Sequence, residues 1–458
     1  MSIAVSVTDA ISGLLADRLS LAEAVRAQHG RDEFWHGAEP PDAVVFPHST
    51  EEVVEIVKIC AASKTPLIPF GVGTSVEGHI QAVRGGVCMD MGQMNQVLAV
   101  YPDDFSCTVQ AGVTRKQLNQ HIRDTGMFFP VDPGADATIG GMAGTRASGT
   151  NAVRYGTMKD NVIAIKAVLP DGRVIDTARR AKKSSAGLDL TRLFVGSEGI
   201  LGVMTEITLQ LHAIPEAIAA AVVNFPTVKD AVDSVVRTIQ SGVPLARVEL
   251  IDEVQLQAIN NYSGFDYPVR PTLFLEFNGG PKSVEEQIEM TSAIVAEFGG
   301  GEFQWETQQE KRDALWQARH DAGPAVKAMR QGAEMWATDV CVPLSRLSEC
   351  IVETQKELQG CSFPAPMLGH AGDGNFHLIY VIDPNSEAEV KEAEALNASM
   401  IRRALAMDGT CTGEHGIGLG KKDFLVEELG GAVEVMRQIK RAIDPQNIMN
   451  PGKMIDLD

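Results

Sequence analysis

His370 and His377 stand seven residues apart in Gly369-His370-Ala371-Gly372-Asp373-Gly374-Asn375-Phe376-His377, and a second cluster, Gly413-Glu414-His415-Gly416, follows further along. Two imidazole nitrogens and one carboxylate oxygen suit a borderline divalent ion such as Zn²⁺ or Mn²⁺, with positions left over for substrate. The two glycines between the histidines argue against a helix. The first histidine is therefore expected to end a strand and the second to begin one, with a loop that brings both rings to one ion. Glu414 would add the oxygen ligand. The alternative is a pair of structurally satisfied histidines and no metal. His415 sits at the edge of such a site, and a neutral imidazole is a fitting base for a substrate hydroxyl near pH 7, the more so when a metal acidifies that hydroxyl. It could instead only orient Glu414 through a hydrogen bond. Arg319, in Trp316-Gln317-Ala318-Arg319-His320, falls on a predicted helix. A guanidinium can hold a carboxylate in a bidentate pair, although most helix arginines are merely solvated. Asp373 and Asn375 are expected to order the loop. Since His-His-Glu is also a hydrolytic set, a metal-dependent hydrolase is the rival from another class.

Upstream lies a glycine-rich half. Pro69-Phe70-Gly71-Val72-Gly73-Thr74-Ser75 leaves a strand for a loop whose amides and hydroxyls could face a pyrophosphate. Val76 stands where the dinucleotide fingerprint needs its third glycine, so this is not a Rossmann loop. His415 and Lys422 likewise break the Walker pattern at Gly416–Lys421. Alone, the 71–75 loop is more often a tight turn. Three further loops change that weighting: Asp132–Gly144, with Pro133, Gly134, Gly140, Gly141 and Ala143; Ala147–Gly156, with Ser148, Gly149 and Tyr155; and Gly196–Gly202, with Glu198 and Gly199. A large elongated cofactor crossing all four loops explains them better than turns do.

The elements that must carry these groups can be read coarsely. Val44-Val45-Phe46 is predicted as a buried strand. Ser49-Thr50-Glu51-Glu52 makes a capping box, and Val53, Ile56, Val57 and Cys60 form one apolar helical face. Strands are expected near 67–70, 86–90, 105–110 and 161–169, with a turn at Pro170-Asp171-Gly172. From 214 to 410 short apolar strands, Leu273–Phe277 the clearest, alternate with amphipathic helices, which suits an α+β unit on an antiparallel sheet. The last helix carries Val433, Met436, Ile439 and Ile443 and stops at Asp444-Pro445. The chain has 458 residues, 44% of them hydrophobic, and predicts two or more domains. A net charge of −20 argues against nucleic acid and anionic membrane as main partners. Seven cysteines without a CxxC pair read as reduced thiols. With no apolar run long enough to span a bilayer and no signal or transit pattern, a cytoplasmic protein is expected, with the periphery of the inner membrane as its other place of work.

The order of Pro69–Thr74, Pro130–Asp136, Ala147–Gly156 and Phe194–Gly199 resembles the FAD-binding domain of the vanillyl-alcohol oxidase and para-cresol methylhydroxylase superfamily. Continuing through Thr338–Pro343, Gly369–His377, Gly409–Gly418 and Asn450-Pro451-Gly452-Lys453, the chain resembles the FAD-linked D-lactate dehydrogenases over roughly residues 35 to 458, and more distantly glycolate oxidase subunits and D-2-hydroxyglutarate dehydrogenases. That resemblance implies an α+β fold. Residues 1–40, read from the sequence itself as an N-terminal helical arm ending near Pro40-Pro41, would precede a two-subdomain FAD-binding domain over 41–213. A substrate (cap) domain over 214–410 would follow, with an antiparallel sheet and the metal-ligand histidines, and a C-terminal helical segment over 411–458 would complete the site against FAD. It also implies oxidation of D-lactate or a related D-2-hydroxy monocarboxylic acid, with electrons leaving for a cytochrome, a quinone or an electron-transfer flavoprotein. A homodimer is compatible with it.

By the same resemblance Pro69, Gly71, Gly73, Thr74 and Ser75 take the pyrophosphate. Pro133, Gly134, Gly140, Gly141, Ala143, Ser148, Gly149, Tyr155, Glu198, Gly199, Gly202, Val203 and Asn450 surround the rest of the FAD. Thr74 stands where some members carry a histidine that attaches FAD, so non-covalent FAD is expected, with His79 nearby. His370, His377 and Glu414 match the metal ligands, Arg319 the carboxylate-binding arginine and His415 the base. Glu334 and Ile379 replace the lysine and asparagine with which 2-hydroxyglutarate relatives meet a distal carboxylate, which favours a monocarboxylate. A flavoprotein synthase without net redox chemistry is the rival within the fold.

Overall fold

The computed structural model describes residues 4–33 and 37–457, so the predicted N-terminal arm lies partly outside the described residues. The chain divides into two compact units. One comprises Met1–Gly149, Gly156–Ile214 and Glu414–Asp458; the other comprises Thr150–Tyr155 and Pro215–Gly413.

The first unit opens as the sequence predicts. Ala43–Val45, Leu67–Phe70 and Val87–Asp90 pair in parallel, with Leu19–Ser20 added antiparallel at one edge. The crossover helix Thr50–Ser63 begins where the Ser49 hydroxyl accepts from the Glu52 amide at 3.3 Å. Its Val53, Ile56, Val57 and Cys60 are wholly buried, each contributing about 1.5–3 kcal/mol before the entropy of ordering is subtracted. A five-stranded antiparallel sheet follows, in the order Val97–Tyr101, Ser106–Gln110, Val203–Gln210, Val162–Val168, Val174–Asp176. Alternation does not mark its first strand, because Val97-Leu98-Ala99-Val100 is apolar throughout.

In the second unit eight strands form one antiparallel sheet. Its order is Gln304–Glu306, Ala217–Asn224, Thr272–Gly279, Arg247–Ile251, Met367–His370, Asn375–Ile382, Glu334–Ala337, and Val340–Cys341 also pairs with Asn375–Ile382. The helices Glu253–Ser263, Gln309–His320 and Ala322–Ala328 supply Leu256, Ile259, Trp316, Ala322 and Ala325 to a core that also takes Ile251 and Phe274 from the sheet. That face is the one on which the histidines stand.

Asp252 caps the helix Glu253–Ser263, its carboxylate accepting from the Gln255 amide at 2.8 Å. Burial pushes its pKa up to about 7, against a smaller downward pull from the backbone amides. A carboxyl whose folded pKa is raised stabilises fully below its unfolded value near 3.8, and loses that contribution as pH rises through about 7. Asparagine caps as well as aspartate and carries no charge. Asp252→Asn should therefore match the parent at pH 4 and exceed it at pH 8 by about 2–4 kcal/mol. Thermal melts at the two pH values measure this; equal pH dependence in both proteins would refute it.

Candidate active site

In the first unit the glycine-rich loops close around a cavity of about 340 Å³. Its wall includes Pro69, Gly71, Gly73, Thr74 and Ser75 from the first loop, Pro133, Gly134, Gly140, Gly141 and Ser148 from the second and third, and Glu198, Gly199, Gly202 and Asn450. Thr138 and Met142, inside the second loop but not singled out there, line it as well, and so do Met91, Ala111 and Met204, which no motif had marked. Thr138 caps the helix Ile139–Thr145. The helix packs so tightly that a Cβ on Gly140 would lie 2.8 Å from the Ala111 Cβ and 2.9 Å from its carbonyl oxygen. A wall rich in glycine backbone and small side chains, with apolar methionines among them, leaves room for a wide planar group and many amide contacts, so these residues fit FAD.

Four expected cofactor residues are absent from that wall. Ala143 is wholly buried, and its carbonyl accepts from the Gly196 amide at 2.8 Å. Val203 is buried at the start of its strand. Gly149 takes φ +140°, and a Cβ there would meet the Asp132 carbonyl oxygen at 2.3 Å, so this glycine serves the close approach of two backbones. Tyr155 belongs to the second unit, where Asn278 Nδ2 donates to its hydroxyl at 2.9 Å.

Glu414 and His415 line the same cavity. They arrive there because the C-terminal segment is pinned by buried polar groups. Both carboxylate oxygens of Glu198 accept backbone amides, from Ile417 at 2.7 Å and Gly418 at 2.9 Å. Asn450 Nδ2 donates to the carbonyls of Glu198 and His79. Lys421 pairs with Glu77 at 3.2 Å, and Lys453 donates to the Gln81 carbonyl while burial pushes its pKa down to about 8. Glu198 keeps a lowered pKa: its burial alone would raise it, but the charge of His79 and the two amides outweigh that. His79 Nε2 lies 3.4 Å from the Glu198 carboxylate.

In the second unit the histidine motif is a hairpin. Met367–His370 pairs with Asn375–Ile382, so His370 ends one strand and His377 lies in the next, as the two glycines foretold. The rings sit 5.5 Å apart at 81°. Each Nδ1 is engaged: His370 Nδ1 meets the Glu249 carboxylate at 2.5 Å, and His377 Nδ1 meets the Thr338 carbonyl at 2.9 Å. An Nδ1–H given to an oxygen fixes the tautomer that carries its lone pair on Nε2. Two such imidazoles suit a divalent ion. Asp339, wholly buried, accepts from Asn375 Nδ2 and Thr412 Oγ1 and from the Gly413 amide, which ties the hairpin to the residue that precedes Glu414. Asn375 thus orders the loop, as its type suggested.

Arg319 occupies the last turn of the helix Gln309–His320, and its Nε and Nη2 both lie 2.8 Å from Glu249. The strand register separates the two substrate-wall candidates. Ile379 is two residues beyond His377 on the same strand and shares its face. Glu334 pairs with Ile382, which puts it on the opposite face and exposed; Met335 and Ala337, opposite Val381 and Ile379, take the His377 side instead. A one-residue shift moves a strand side chain to the other face, and numbering alone does not reveal it.

A family model described as "FAD linked oxidases, C-terminal domain" matches residues 214–454, and one described as "FAD binding domain" matches residues 41–178. The chain is 53% identical to a probable mitochondrial D-lactate dehydrogenase of Danio rerio, over 96% of this chain and 89% of the relative. It is 49% identical to a mitochondrial D-lactate dehydrogenase [cytochrome] of Arabidopsis thaliana, over 96% and 78% respectively. The solved structure of p-cresol methylhydroxylase superposes with a TM-score of 0.79 at 18% identity, covering 99% of this chain and 97% of that one, which shows a shared fold.

Proposed function

The chain belongs to the FAD-linked oxidases, with the fold of p-cresol methylhydroxylase, and from that premise we propose that it oxidises D-lactate or a related D-2-hydroxy monocarboxylic acid to the 2-oxo acid. The observation that carries this reading is the placing of His415 on the wall of the cavity that the glycine loops enclose. An imidazole there can take the hydroxyl proton of a substrate held against the cofactor. The glycine loops would hold FAD without a covalent bond, since Thr74 offers no attachment, and the flavin would supply the two-electron acceptor for the Cα hydrogen. His370 and His377, with Glu414, would hold a divalent ion such as Zn²⁺ or Mn²⁺ that binds and acidifies the substrate hydroxyl. Arg319 binds the substrate carboxylate through guanidinium hydrogens outside its pair with Glu249. Oxidation removes the Cα hydrogen with its electron pair and the hydroxyl proton, so the balance closes with one base and one acceptor.

Electrons then pass to a cytochrome, a quinone or an electron-transfer flavoprotein. The name of the Arabidopsis relative and the −20 net charge, which suits a basic partner, both support a cytochrome. A cytoplasmic location rests on composition alone and stands beside relatives named as mitochondrial. Among the described residues no helix is long and apolar enough to cross a membrane.

Anaerobic titration of the purified flavoprotein with D-lactate, D-2-hydroxybutyrate, L-lactate, glycolate and D-2-hydroxyglutarate tests the proposal. D-Lactate or D-2-hydroxybutyrate should bleach the flavin fastest. Fastest bleaching by the dicarboxylate would overturn the monocarboxylate reading, and no bleaching by any of the five would overturn the dehydrogenase reading.

A further inference from the structure

Glu249 is the one acid on the strand Arg247–Ile251, and its side chain is fully removed from solvent. Such a carboxylate is tolerated only when paired. The register sets Glu249 directly opposite His370 across the sheet. One oxygen lies 2.5 Å from His370 Nδ1, and the other takes Nε and Nη2 of Arg319 at 2.8 Å. One rigid group thus fixes two partners of different purpose. The first is the ring whose Nε2 faces the ion in the reading above, and the second is the guanidinium assigned to the substrate carboxylate. Neither partner can turn without leaving half of a buried charge unpaired.

We propose that Glu249 is a positioning residue that couples ion binding at His370 to substrate-carboxylate binding at Arg319. The inference rests on the reading of His370 as a metal ligand. Because the coupling runs through one carboxylate, a change at Arg319 is felt by the ion, and a change at Glu249 is felt by ion and substrate alike.

The test measures Zn²⁺ affinity by chelator competition on the FAD-loaded protein without substrate, for the parent, Glu249→Gln, Arg319→Lys and the double variant. Glutamine keeps the shape but has one acceptor oxygen, so it can satisfy His370 or Arg319 and not both. Glu249→Gln should weaken Zn²⁺ binding about 10–100-fold, the range for losing an orienting partner of a ligating histidine, and raise the D-lactate KM, with flavin content unchanged. Arg319→Lys should weaken Zn²⁺ several-fold, and should add nothing once Glu249→Gln is present, because the two losses share one route. Unchanged Zn²⁺ affinity in a folded, FAD-loaded Glu249→Gln protein overturns the coupling, and so do effects that add independently. If Glu249→Gln does not fold, Arg319→Lys alone decides: an unaltered Zn²⁺ affinity rejects the proposal. A parent protein that binds neither Zn²⁺ nor Mn²⁺ removes the metal reading itself, and this inference with it.

Discussion

Replacing His415 by alanine should leave a yellow protein that D-lactate no longer bleaches. The expected loss in the flavin reduction rate is about 10²–10⁴-fold, the usual worth of a positioned general base. FAD content should stay near that of the parent, because His415 is one wall residue among many and the glycine loops supply most of the cradle. Stopped-flow reduction under anaerobic conditions measures the rate. Flavin released on denaturation measures occupancy and also shows whether the FAD is free of a covalent bond. A reduction rate within a few-fold of the parent would remove His415 as the base and leave it only the task of orienting Glu414.

His370→Ala and His377→Ala should each abolish stoichiometric ion binding and most of the activity, and chelation of the parent should do the same, reversed by added Zn²⁺ or Mn²⁺. The two variants should differ in stability. His370→Ala strips a 2.5 Å partner from the wholly buried Glu249 carboxylate, whereas His377→Ala strips one from the neutral Thr338 carbonyl and only a 3.7 Å contact from Asp339, which keeps its hydrogen bonds from Asn375, Thr412 and Gly413. An orphaned buried charge costs more than an orphaned carbonyl, so His370→Ala should lose about 1–3 kcal/mol more. Thermal melts of the ion-free proteins make the comparison. Equal melting points would contradict the pairing, and bleaching that survives exhaustive chelation would return both histidines to a structural role.

Much of this site was legible from local spacing. Gly372 and Gly374 between His370 and His377 announced a hairpin, and the hairpin is there. Ser49 with Glu52 announced a helix start, and the face Val53, Ile56, Val57 and Cys60 is buried as its period requires. The glycine loops announced a cradle, and most of the residues assigned to it line one cavity. Ala143, Gly149 and Val203 were marked by the same motifs yet serve packing, because a motif specifies a backbone path and not which of its residues face a ligand.

Glu249 left no trace in the sequence. It lies 121 residues from His370 and 70 from Arg319, in a strand that reads as ordinary core. Glu334 shows the reverse case. Its place in the chain suggested a pocket wall, and the strand register turned it to the other face. Residue types and short spacings determined the chemistry on offer: two imidazoles, a Glu-His pair, a guanidinium and a glycine cradle. Tertiary structure alone decided which buried carboxylate holds two of those groups in place, and which strand positions face them. Local spacing acts through the fixed rise and twist of helices, strands and turns, whereas a buried charge finds its partner across the fold, where desolvation permits no other arrangement.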